Sequence, residues 1–136
     1  MKDHENYKYK IELGFLKLGK ALSSLEQIVV KPNQDDRSNI DASIQRFEFT
    51  IELFWKLLKN ILESKGVEVQ YPKNVLQEAF KGHLIDHEQS WLKMLEDRNM
   101  TSHTYDEDLA DQIFTRIKSY IPVLRETYNK LFEDFR

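Results

Sequence analysis

A chain of 136 residues with 40% hydrophobic and 12% aromatic side chains is long enough for one core and too apolar for disorder, so a single domain over 1–136 is expected. With 20 basic and 23 acidic residues the formal charge is −3, which excludes a bulk electrostatic grip on nucleic acid but leaves room for a small local basic site. The absence of cysteine excludes disulfide frames, thiolate metal sites and cysteine nucleophiles, and 4 Gly with 3 Pro argue against a turn-rich sandwich or barrel.

The opening MKDHENYKYK lacks the apolar core of a signal peptide, and His4 within it is given no role. No apolar run approaches the ~20 residues of a membrane span, so a cytoplasmic protein without membrane contact is expected. Tyr7, Ile11, Phe15, Leu18, Leu22, Leu25 and Val29 recur at steps of three and four, the stripe of an amphipathic helix of roughly seven turns. The polar run Pro32 to Asp36 breaks it. Ile40, Ile44, Phe47, Ile51, Phe54, Leu58 and Ile61 then form a second stripe of the same kind. Gly66 to Pro72 is the next break; within it only Val67 to Tyr71 alternates as a strand would.

The spacing predicts a short helix from Pro72 to Gly82 and a medium one from Leu84 to about Arg98, followed by a break at Thr101 to Thr104. The last stripe is Leu109, Ile113, Ile117, Tyr120, Leu124, Leu131 and Phe135, with Pro122 inside it expected to bend or locally break the helix. The fold class that follows is all-α, an antiparallel up-and-down four-helix bundle with a short extra helix.

The candidate chemistry lies at the fourth break, in Glu96 to Glu107. Arg98 offers a planar fork suited to phosphate, His103 is of the residue type best suited to moving protons near neutrality, and Tyr105 carries a hydroxyl that can donate a hydrogen bond or be modified. The plain alternative is an ion-paired Arg98, a solvated His103 and a packed Tyr105. Asp106 is placed to cap the last helix. On the second helix Glu48, Glu52 and Lys56 share a face, either as solvated ion pairs or with Glu48 or Glu52 orienting Arg98. Trp55 lies off the stripe, at a bundle edge or an interface. His83 and His87 are spaced to share a helix face, but Leu84 stands where a metalloprotease motif requires Glu, and no metal site is expected. No Gly-rich phosphate loop is present, nor the Gly-Ser turn with Asp-x-Asp that a self-contained nucleotidyltransferase needs.

Arg98, four intervening residues and then His103-Thr104-Tyr105 resemble the R-x4-H-x-Y signature of HEPN proteins that accompany minimal nucleotidyltransferases. Gln45 to Lys56 and Asp97-Arg98-Asn99 are similar to the hallmarks of the subgroup called nucleotidyltransferase substrate-binding proteins. The resemblance implies a two-fold homodimer paired with a separate minimal nucleotidyltransferase chain, in a two-protein, toxin-antitoxin-like system. It also implies nucleotide or RNA as ligand, with no cofactor. In the ribonuclease form of the family Arg98 would hold the scissile phosphate and His103 would transfer protons without metal. The partner would silence this activity by adding AMP to Tyr105, and Asn99 takes the polar position after the arginine. Glu96, Asp97, Asp106, Glu107 and Asp108 flank this motif and would repel long RNA unless Lys56 or Lys59 compensates. A catalytically inert helical interaction protein is the remaining alternative. Phe49, Trp55 and Leu57, apolar beyond one stripe, are the expected dimer face.

Overall fold

Three stripes of this length cannot be left in water, and in the computed structural model, which describes residues 4–32 and 36–136 (His4 and Glu5 by backbone alone), they bury one another. The elements are α1 (His4–Val29), α2 (Ser38–Ser64), α3 (Pro72–Lys81), α4 (Glu88–Asn99), a single 3₁₀ turn (Thr101–His103) and α5 (Glu107–Phe135). All seven stripe residues of α1 and all seven of α2 are buried. In α5, Ile113, Ile117, Tyr120, Leu124 and Leu131 are buried, with Leu109 and Phe135 packed at the margin. The long helices α1, α2 and α5 form the body of the bundle, and α3 and α4 pack as a short pair against α2.

Aromatic contacts set how the short pair and α5 sit on α2. Phe54 of α2 meets Trp91 of α4 edge to face, with ring centroids 4.9 Å apart, and both are buried. Phe47 stacks on Tyr120 of α5 at 5.8 Å. Three polar ties among the described residues join α1 to its neighbours: Arg46 Nη1 donates to the Ser24 carbonyl at 3.0 Å, Arg125 forks onto Glu26, and the Tyr128 hydroxyl donates to the Phe15 carbonyl at 3.1 Å.

Two local expectations change. First, α4 starts at Glu88 rather than Leu84. The amide of Leu84 turns back to the Ala79 carbonyl at 2.8 Å, and Leu84 and Ile85 plug the core from a turn. His83 and His87 at the two ends of this turn have φ of 62° and 58°, a left-handed backbone that no continuous helix contains. The two histidines therefore share no helix face, and the described residues contain no cluster of three or more metal-ligating side chains. Second, of the bend or break expected at Pro122, the break does not occur, and α5 is one continuous helix. The ring costs the helix one N–H, but Pro122 lies on the solvent side, where the carbonyl one turn back meets water. Val67 to Gln70, the one stretch with strand-like alternation, is irregular, in keeping with an all-α chain, and Val69 within it is buried. Of the polar break between α1 and α2, residues 33–35 lie outside the described residues. Among those described, no helix is long and apolar enough to cross a membrane.

Removing the Phe54 ring should cost about 3–5 kcal/mol, because the cavity opens between two helices that cannot both collapse into it. Phe49, on the same helix but 58% exposed, should lose well under 1 kcal/mol on truncation to alanine. Urea midpoints of the two variants measure the difference directly; equal losses would place the helix in the wrong rotation.

Candidate functional site

Two successive residues at the end of α4 point about 100° apart, as any neighbours on an α-helix do. The structure uses this divergence. Asp97 turns to α5 and is 1% exposed. It accepts hydrogen bonds from Arg116 Nε and Nη2, each at 2.8 Å, and from the Tyr120 hydroxyl at 2.6 Å. A buried carboxylate is tolerated only with such partners. Burial and the Asp97 bond push the Tyr120 phenol far above its ordinary pKa. The Asp97 bond likewise raises Arg116, so near neutrality the Tyr120 phenol stays protonated and the Arg116 guanidinium stays charged.

Arg98 turns instead to α2. Its Nη2 donates to Glu52 Oε2 at 2.7 Å. Glu52 also accepts the Trp55 indole N–H at 3.1 Å and lies 3.5 Å from Lys56 Nζ. Burial works against the charged form of Glu52, but the Trp55 bond, Arg98 and Lys56 outweigh it and hold the carboxyl below its ordinary pKa. The α2 carboxylates reach the arginine side of the motif, with Glu52 also facing Lys56 as an ion pair. Glu52 grips Arg98, and Glu48 Oε2 lies 3.0 Å from the hydroxyl of Thr101, which is also 2.8 Å from the Arg98 carbonyl. Arg98 Nε is buried and has no hydrogen-bond partner among the described residues. A buried unpaired donor costs about 1–3 kcal/mol, so the guanidinium gains from an added acceptor.

From Thr101 the chain makes one 3₁₀ turn. The His103 amide bonds the Met100 carbonyl at 3.0 Å, Thr104 Oγ1 the Thr101 carbonyl at 2.8 Å, and the Asp106 amide the His103 carbonyl at 3.2 Å. Asp106 then caps α5, accepting from the amides of Asp108 and Leu109 at 3.0 and 3.3 Å. Between these fixed ends His103 and Tyr105 are exposed, their rings edge to face at 6.2 Å, and Tyr105 is 84% exposed. Asn99 is exposed, with no side-chain hydrogen bond among the described residues.

The expected ring of repelling carboxylates is weaker than the sequence implied. Asp97 is buried and neutralised, Asp106 is spent on its cap, and Glu96 lies 3.4 Å from Lys93. Lys56 and Lys59 do not supply the compensating charge, since they face Glu52 and Glu63. Instead a groove of about 940 Å³ opens between α1 and α2 beside Arg98, and Lys17, Lys20 and Arg46 line it. These three were missed, although Lys17 and Lys20, three apart, belong to one helix face. The expected dimer face also changes. Leu57 is in the core, against α1 at Gly14; Trp55 is half-buried on Glu52; only Phe49 is exposed, at the groove.

The family model described as nucleotidyltransferase substrate binding protein like matches residues 13–133. A Haemophilus influenzae protein named probable ribonuclease HepT is 32% identical over 119 residues, covering 76% of this chain and 82% of the relative. A crystal structure from Thermus thermophilus superposes with a TM-score of 0.77 at 36% identity, covering 84% of this chain and 98% of the other. A second structure from Haemophilus influenzae, described as revealing the fold of a substrate binding domain of a nucleotidyltransferase, gives a TM-score of 0.66 at 25% identity, covering 91% and 98%.

Asp97→Asn should destabilise the chain by about 2–3 kcal/mol, because three donor groups lose their charged acceptor while Arg116, a third exposed, partly rehydrates. Tyr120→Phe should cost about 1 kcal/mol; denaturant midpoints read both, and an unaffected Asp97→Asn would contradict the clamp. The stability contributed by Glu52 is complete above the ordinary glutamate pKa of 4.5 and is lost as pH falls through its lower folded value. Glu52→Gln should therefore flatten the acid limb of the stability profile below about pH 5. A variant profile parallel to wild type would show that the pairing contributes nothing.

Proposed function

This chain belongs to the family described as nucleotidyltransferase substrate binding protein like, and from that premise we propose that it works as the helical partner subunit of a separately encoded minimal nucleotidyltransferase. The observation that carries the reading is the turn after α4. There an exposed tyrosine, Tyr105, stands on a backbone pinned at Thr101 and at the Asp106 cap, two residues from His103. A hydroxyl that is open to solvent yet fixed in place suits modification by a second protein. The partner would bring ATP; the Tyr105 oxygen attacks the α-phosphorus, pyrophosphate leaves and the phenolic proton goes to solvent or base. The AMP phosphodiester then stands beside the arginine end of the motif as a fixed anion.

The second reading is a metal-independent ribonuclease, and the spacing of Arg98 and His103, together with a relative named as a probable ribonuclease, favours it. One protomer supplies a single arginine and a single histidine. A homodimer pairing two such turns would bring two of each into one cleft, and Met100 and Tyr105, both exposed, give those turns apolar surface to bury. In that cleft Arg98 would stabilise charge developing on a phosphate and His103 would move protons.

Incubation with the partner transferase, ATP and Mg²⁺ should add one AMP to wild type and none to Tyr105→Phe, read by intact mass. RNA cleavage by the unmodified protein should fall at least a hundredfold in Arg98→Ala and His103→Ala. A transferase active on itself or another substrate but leaving wild type unmodified would contradict the modification. Undiminished cleavage in both variants would remove the ribonuclease role.

A further inference from the structure

We propose that the seam between α1 and α5 is the docking surface for the partner transferase, and that an acidic amphipathic helix of that partner lies in it. This rests on the partner-subunit reading and adds to it the surface and the chemistry of the contact. A groove of about 1080 Å³ runs between the two helices. It follows α1 from Lys8 to Gln27, about 28 Å of helix, and Arg125, Tyr128, Phe132 and Phe135 form its α5 wall. A second hollow of about 730 Å³, at Val30, Pro32, Ile121 and Pro122, continues the seam. The two meet at one ion pair: Arg125 lines the first, Glu26 lines the second, and the arginine forks onto the carboxylate.

The floor of the groove is a cluster of rings. Phe15 meets Tyr128 and Phe132 edge to face at 5.9 and 5.6 Å, and Tyr128 stacks on Phe132 at 6.0 Å. The Tyr128 hydroxyl donates to the Phe15 carbonyl, and a Cβ on Gly19 would lie only 2.7 Å from it. A larger residue at that position would push the ring away, so the glycine is what lets the tyrosine lie down against α1. Leu16, Phe132 and Val30 remain exposed along the seam. On α1 the groove residues Leu16, Gly19, Ser23 and Gln27 step by three, four and four, off the buried stripe. A wall of mostly small residues at helical spacing beside a second helical wall suits a third helix, whose apolar side chains repeat at the same intervals. From Leu16 to Val30 is about 21 Å, so the occupant needs about four turns.

Charge selects the kind of occupant. Six basic side chains and two carboxylates line the two hollows, in a chain whose net charge is −3. Of the six, Lys8, Lys20, Lys31 and Lys118 have no carboxylate partner among the described residues; Lys118 Nζ instead lies 4.4 Å from the Phe114 ring centroid. A two-fold contact between copies of this chain would set these cations against one another, a like-charge juxtaposition that costs affinity. A strand of RNA would meet the lysines but gain little from Leu16, Val30 and Pro122, which offer no ring face to a base. A helix with carboxylates flanking an apolar stripe meets both the cations and the apolar ridge.

Position supports the same occupant. Tyr105 stands two residues before α5 begins at Glu107. Along that helix Lys118 and Arg125 lie about 17 and 27 Å from Glu107. A domain of about 100 residues, with a radius of gyration of about 13 Å, is about 30 Å across. One small protein held on the seam therefore covers the distance to the tyrosine. A contact set apart from the turn also holds the partner without burying the hydroxyl that it is to modify.

The test titrates the full chain with the transferase by calorimetry at two salt concentrations. Leu16→Asp/Val30→Asp and Lys20→Glu/Lys118→Glu should each raise the Kd at least about tenfold, and the lysine pair should also flatten its salt dependence. Tyr71→Asp/Lys73→Glu, a matched change at the start of α3, should leave the Kd unchanged. All six residues are exposed, so unchanged thermal midpoints will show the variants folded. A wild-type complex indifferent to both seam pairs overturns the seam and leaves the partner reading standing. No complex with wild type, at concentrations where the transferase is active, overturns the partner reading and the seam with it. A response to the lysine pair alone overturns the amphipathic helix. Sedimentation of the chain by itself and titration with a 12-nucleotide RNA cover the other occupants. Self-association lost in both seam pairs assigns the seam to a second copy. RNA binding that needs Lys20 and Lys118 while the complex does not assigns it to RNA; either result overturns the proposal.

Discussion

A carboxylate buried to 1% exposure has one stable solution, which is to be surrounded by donors, and Asp97 imposes that solution on the end of α4. Arg116 and Tyr120, one turn apart on α5, meet both of its oxygens. Helix α4 is only twelve residues long, too short to be stable without tertiary contacts. It is fixed at its middle by Trp91 against Phe54 and at its end by Asp97 against α5. Everything chemically suggestive in the chain hangs from that second anchor.

Because Asp97 is committed to α5, Arg98 has to face α2, and Glu52 is where it lands. Ion pairs as open as this one, each side chain about 30% exposed, add little stability. The geometric contribution is larger. Glu52 is itself held by Trp55 and Lys56, so it presents the arginine in one orientation, while the Glu48–Thr101 contact begins the turn that carries His103 and Tyr105. Thus α2 supplies the floor of the site, α4 its cation, and the Asp106 cap the exit of the chain. The same α2 surface continues toward α1 as the lysine-lined groove, so the arginine stands at the edge of both surfaces.

The stripes of α1, α2 and α5 were legible because burial of one face repeats every 3.6 residues and leaves a periodic record. The Asp106 cap was legible too, since it depends on amides two and three residues away. The start of α4 was not. Leu84 and Ile85 carry the apolar signature of a helix, yet the left-handed backbone at His83 and His87 makes them a buried turn, and histidine does not announce that conformation as glycine would. Asp97 read as one more carboxylate flanking the motif, because its partners lie 19 and 23 residues away and no local pattern encodes that pairing. Leu57 read as surplus surface, although the space that receives it is made by Gly14 on another helix. Arg98, Glu48 and Glu52 were within reach of the sequence as candidates. The contact between them stood in the sequence only as one of two alternatives, because it is created by the rotation of α4 that Asp97 imposes.

Amide hydrogen exchange across residues 98–106, compared between wild type and Asp97→Asn under native conditions, tests this dependence most directly. Loss of the anchor should speed exchange of the 3₁₀ turn and of the last turn of α4 at least tenfold, while the interior of α1 changes only by the global loss of stability. Unchanged protection at Met100, His103 and Asp106 in the variant would contradict it, and would mean that the turn is held by α2 and its own cap without help from Asp97.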